Sequence, residues 1–393
     1  MAYIDIANLA RAWTNAKSYI NAQNIIIRDG LRAEIEAVSG GRMTVVRDTN
    51  GNPHIMCVIP RFRLEDIDAS LGSGNHPAFI ADGVVKSELL IGKYEASKDA
   101  SNKCHCLPLK APWVSINIDN SILACRAMGS GFHAFTNAEW AAMALWYWKQ
   151  NPSGFVYYGN TNWGRHHEAH HQAGVMQTTA FLPGDTGNNV SGACLTGSGP
   201  DCWNIDGSPW GISDITGNVW EWTPGVRIVD GEIQIIPNND AALDDCDMSA
   251  NSTSWMAILQ DGTLVAPGTE GTLKYTAPSA GTGSNTNLGK TTVGTSVGYT
   301  ASGNGYMSNS SFAGMEAASG TTIPGILKAL GMFPVSSTGV IGGYWVRNNG
   351  ERVVARGGNW STGGNCGPFY LNADNPRSNT AWGLGFRPAL LAS

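Results

Sequence analysis

The chain has 393 residues, enough for two or three domains and at least one sizeable core. Only 14% of residues are charged, the formal net charge is −6, and no basic run exceeds two residues. That excludes the basic stripe with which nucleic-acid binders hold phosphate, and the lack of a long apolar run excludes membrane insertion by a spanning helix.

Forty-nine glycines and fourteen tryptophans describe a loop-rich body pinned by large aromatic anchors. The first residues carry no basic region followed by an apolar stretch, so no signal peptide is expected. Eight cysteines are scattered over the chain, which predicts cytoplasmic synthesis with mostly reduced thiols.

In chain order, residues 1–88 read as a small helix-plus-hairpin module. Ile6, Leu9, Trp13, Ala16 and Ile20 follow helical spacing, as do Leu31, Ile35 and Val38 before Gly40-Gly41. Residues 43–60 then predict a β-hairpin around Asn50-Gly51. Such a module either packs on the main body or serves oligomerisation or tail assembly through residues 1–60. From about Leu89 to residue 393 the texture is short apolar segments between Gly, Asn, Ser and Pro. One helix stands out: Thr136 and Glu139 have capping-box spacing, good helix formers follow, and Pro152 marks the end. Residues 226–350 read as an insertion, with 268–320 forming a long loop or small β-excursions.

Four pieces carry a family resemblance. IGKYEAS (91–97), FTNAEWAAMA (135–144), WGISDITGNVWEWT (210–223), and VVARGGNW (353–360) with WGLGFRP (382–388) occur in that order. Together they resemble the formylglycine-generating-enzyme branch of the C-type lectin fold. The resemblance implies an α+β, C-type-lectin-like domain over 89–393. Within it, Gly217-Asn218 turns the chain into a strand with alternating faces, so one tryptophan enters the core. Glu221 is expected to meet an arginine such as Arg356 or Arg387, and Gly357-Gly358 to permit close backbone approach.

The closing segment, about 356–390, resembles the variable region of proteins diversified by retroelements, in which a reverse transcriptase rewrites adenine-containing codons. The resemblance makes Trp360, Phe369, Trp382, Phe386 and Arg387 framework. It makes Ser361, Thr362, Asn365, Cys366, Pro368, Tyr370, Asn372, Asp374, Thr380, Gly383 and Leu384 the diversified, ligand-binding positions. Replacing Tyr370 or Asp374 should then alter ligand choice with little effect on melting.

Rival chemistry is weaker. Formylglycine-generating enzymes bind copper through a cysteine pair, and Cys366 is the only cysteine after Cys246. His167 and His171 in RHHEAHH have i, i+4 spacing, but their order is wrong for a metalloprotease. Cys104-His105-Cys106 lacks partners for a four-ligand zinc site, and a Cys194–Cys202 disulfide is not deducible. Asp244, Asp245 and Asp247 could hold structural calcium but lack an EF-hand pattern. The expectation is a binding protein without cofactor or catalysis, whose ligand is a host-surface protein or glycan. Its setting would be a phage or prophage tail, or a bacterial cell surface. A formylglycine-type copper oxidase and an undiversified surface lectin are the alternatives.

Overall fold

The computed structural model describes residues 29–152, 156–166, 173–177, 192–278, 287–300 and 305–391. The first N-terminal helix expected from the sequence lies outside them. The second is α1 (Gly30–Ser39). Asp29 accepts from the Arg32 N–H at its start, and Gly40 ends it at φ +62°, a left-handed turn that glycine makes without steric cost. The hairpin follows as β1 (Met43–Arg47) and β2 (Pro53–Pro60), with Val45 opposite Ile55. Asp48 shapes its turn by accepting from the backbone N–H groups of Asn50 and Asn52.

Next come β3 (Glu88–Gly92) and a short ribbon of β4 (Ser97–Lys98) against β5 (Cys104–His105). Then follow α2 (Ile118–Arg126), β6 (Phe132–Ala134) and α3 (Asn137–Gln150). Helix α3 starts with the expected capping box. Thr136 Oγ1 accepts from Glu139 N at 3.2 Å, and Glu139 Oε2 accepts from Thr136 N at 3.0 Å. Its alanines, Trp140, Leu145 and Trp148 are buried around most of its circumference, as expected of a helix enclosed by the body rather than lying on it.

The remaining strands are β7 (Trp220–Val229), β8 (Glu232–Ile235), β9 (Lys274–Thr276), β10 (Thr292–Gly294), β11 (Met307–Asn309), β12 (Tyr344–Val346), β13 (Glu351–Gly357), β14 (Gly367–Asn375) and β15 (Pro388–Leu390). They complete two main sheets. One has the order β1-β2-β3-β15-β6, so residues 43–60 share a sheet with the end of the chain. The other is a twelve-stranded mixed sheet through β11-β12-β14-β13-β7-β8-β9-β10. The protein is therefore an α+β fold dominated by one large mixed sheet.

Residues 226–350 supply many strands of that sheet rather than one loop. The glycine-rich stretch within them forms the short strands β9, β10 and β11. Their consequence lies at the C-terminus. Because β12 pairs in parallel on the outer side of β14, and β13 on its inner side, β14 is an interior strand. Among the described residues no helix is long and apolar enough to cross a membrane.

Candidate ligand-binding face

The frame of the face is the junction of β7, β13 and the final turns of the chain. Gly217 (φ +84°) and Asn218 (φ +57°) turn the chain into β7, and a side chain at Gly217 would collide with the Asn160 carbonyl. Asn218 is a buried hub. Its Oδ1 accepts from Cys194 N at 2.8 Å and its Nδ2 donates to Glu95 at 2.6 Å. Gly357 and Gly358 both have positive φ. A Cβ at Gly357 would stand 2.7 Å from the Ile215 carbonyl, and one at Gly358 would strike Cys366 Sγ. The close approach expected at these two glycines is present.

Glu221 meets Arg387, one of the two arginines expected from the sequence. The pair is bidentate, at 2.6 Å and 2.9 Å, with both side chains essentially without exposure. Burial pushes the Glu221 carboxyl up and the facing guanidinium pulls it back. Arg387 also donates to Gly92 O and Ser213 O, at 3.0 Å and 2.9 Å. Arg356, although opposite Glu221 in strand register, turns instead to Asn137 Oδ1 at 2.7 Å and Gly331 O at 3.0 Å. The alternation expected along β7 is incomplete: Trp222 is fully buried and Trp220 half-buried, but Glu221 between them is buried too. A strand covered on both faces loses the in-out pattern.

On this frame sits the loop 358–366. Trp360 is fully buried, its ring centroid 4.7 Å from that of Trp382, and its backbone N–H donates to Asn218 O. Asn359 Oδ1 gathers the hydroxyls of Ser361 and Thr362 at 3.1 Å and 2.9 Å. Gly363 N donates to Thr161 O, and Trp163 N donates to Trp360 O. The loop is thus fastened from below by an aromatic and from within by an asparagine. Its tip exposes Ser361 and Asn365.

No family model and no curated protein matches this chain.

The structure divides the sequence-predicted positions. Ser361, Asn365 and Thr380 are exposed, and Thr362 and Asp374 are half-buried. Cys366, Pro368, Tyr370, Asn372, Gly383 and Leu384 are buried. Asn372 lies on β14 beside β12, opposite Trp345, and Cys366 and Pro368 lie where the chain at 341–343 runs alongside, Gly343 N donating to Asn365 O and Phe369 N to Ile341 O. Gly383 and Leu384 lie where Leu384–Gly385 pairs in parallel with the start of β7. Tyr370 is 3% exposed and lies edge-on beneath Trp220, with centroids 4.6 Å apart. Asp374 is paired with Arg347 at 2.5 Å. The expectation that a change at Tyr370 would spare stability is therefore corrected: this ring is packing.

Sequence reasoning missed Trp163, which is 54% exposed. It sits at φ +52° and is tied by its backbone to Trp360. Its only signal was a tryptophan between Asn162 and Gly164 in a turn-rich stretch, and a single exposed aromatic is too common to mark a site by itself.

The rival chemical groups are spent in other ways. Cys366 is buried, its thiol donating to Asn359 O, and burial pushes it up to about 12; it is held as a neutral thiol. Cys194 is a free thiol, its Sγ facing Met176 Sδ at 3.8 Å. Asp244 accepts from Ser130 Oγ and Gly131 N, and Asp247 from Ser249 N. His167 and His171 lie outside the described residues.

Proposed function

We propose that this is a ligand-binding protein of C-type-lectin-like fold, of the formylglycine-generating-enzyme type, whose closing segment is diversified by a retroelement. Its setting is a phage or prophage tail or a bacterial surface, and its ligand is a host-surface protein or glycan. The observation that carries the reading is the contrast within a few residues at 359–365. A fully buried Trp360 and a bonded Asn359 hold a loop whose Ser361 and Asn365 reach solvent beside the exposed Trp163. Small polar side chains on a rigid support, next to an aromatic, suit recognition with little entropic loss. Contact in this reading falls to Ser361, Thr362, Asn365 and Thr380, with Trp163 added. The buried positions act by changing how the loop is supported.

The deciding experiment is to sequence the DNA around the gene. The expected result is a near-copy of the stretch encoding residues 356–390, differing almost only at adenines, beside a reverse-transcriptase gene. If that near-copy differs at no adenines, or is absent, diversification is refuted and 359–365 becomes a fixed loop.

A further inference from the structure

A second cluster lies away from this face, where the β1–β2 turn meets the β4–β5 ribbon. Asp48, His54 and His105 are all buried, and each offers one ligand atom within 4.8 Å of the others'. The turn, strand β2 and strand β5 supply one residue each, so the tertiary fold gathers them. Two ring nitrogens there, His54 Nε2 and His105 Nδ1, are buried without a hydrogen-bond partner. Unpaired buried polar atoms are costly, so two on the rings of one cluster call for an explanation. His54 Nε2 stands 3.6 Å from Asp48 Oδ2, too far for a sound hydrogen bond.

From these observations we propose that Asp48, His54 and His105 form a binding site for a divalent transition metal of the zinc class. Two imidazoles and one carboxylate are a donor set of that class, whereas calcium and magnesium take oxygen alone. The charge also matches. The carboxylate of Asp48 stands beside His54 and that of Asp99 beside His105. The facing side chains are two imidazoles and two carboxylates, while Lys103 is engaged with Asn50, Lys98 with Asn102 and Arg47 with Asp29.

The outer contacts suit a metal at His105. Its Nε2 faces Asp99 Oδ2 at 3.4 Å, and a proton held there leaves the buried, unpartnered Nδ1 a lone pair for an ion, the carboxylate–histidine–metal arrangement. His54 has to change. Cys106 N–H donates to its Nδ1 at 3.2 Å, so without an ion its proton is on Nε2. Ligation through Nε2 moves that proton to Nδ1, with no net release, and breaks the Cys106 hydrogen bond. Tetrahedral ligands about 2.1 Å from zinc lie about 3.4 Å apart, so the cluster also tightens on loading. The flanking Cys106 thiol takes no part: it donates to Tyr94 O.

The test uses the full chain, stripped with a chelator and titrated with cobalt(II), then with zinc(II). The expected result is one equivalent with the visible absorption of four-coordinate cobalt, bleached by zinc, and a Cys106 amide that exchanges faster when loaded. Asp99→Asn, which keeps an Oδ1 to accept from Ser101 N and Lys103 N, should weaken binding by about 10- to 100-fold. His167→Gln/His171→Gln should leave the spectrum unchanged. The proposal is overturned if the wild type takes up no ion, or if the signal follows His167 and His171. It is equally overturned if Asp99→Asn binds as tightly as wild type.

Discussion

Arg387→Met tests the frame of the face most directly. The substitution keeps much of the side-chain volume but removes two charge-assisted bonds to Glu221 and the donors to Gly92 O and Ser213 O. What remains is a carboxylate at 1% exposure without its cation. Breaking a buried pair in this way costs about 3–5 kcal/mol, roughly two to four orders of magnitude in the folding constant. The loss should depend on pH. Without the guanidinium, burial and the nearby Asp214 raise Glu221 further above its ordinary 4.5. The folded variant then binds a proton that the unfolded chain has released, so its stability is greatest at low pH and falls as pH rises above about 4.5. Denaturant titrations at several pH values measure this. Adding Glu221→Leu removes the stranded charge and should recover at least about 1 kcal/mol. A single variant within about 1 kcal/mol of wild type, or a double variant less stable than the single, would refute the reasoning.

Two further outcomes follow from burial. Tyr370→Ala should cost about 3 kcal/mol, the lower end for a large aromatic truncation, because its ring is buried beneath Trp220, whereas Ser361→Ala should stay within about 0.5 kcal/mol; thermal melts of both would expose an error if the order reversed. Burial lowers the His133 imidazole, but Glu139 at 3.0 Å outweighs it and holds the ring above its ordinary 6.5. Its contribution is complete below about pH 6.5 and fades as pH rises through the folded value. Glu139, held below 4.5 mainly by His133 against burial, loses its share as pH falls. His133→Gln should therefore flatten the decline of stability between neutral and mildly alkaline pH, and an unchanged slope would sink the assignment.

Local chemistry was legible in the sequence wherever neighbours in the chain decide it. The α3 capping box, the Gly40 stop and the β1–β2 turn rest on short-range sterics and hydrogen bonds, whereas the glycines at 217 and 357 signal a tight fit whose partners, the Asn160 and Ile215 carbonyls, only the fold brings near. The partner of Glu221 was narrowed to two arginines because a buried carboxylate needs one. The choice of Arg387 over Arg356 depended on Asn137 and Gly331 O capturing the other. Burial of Tyr370 and Asn372 was hidden for a related reason: Trp220 meets the first from a distant strand, and β12, beside the second, comes from the stretch that reads as an insertion. The meeting of Asp48, His54 and His105 was equally out of reach, because a sequence shows spacing along the chain but not which strands a fold brings side by side.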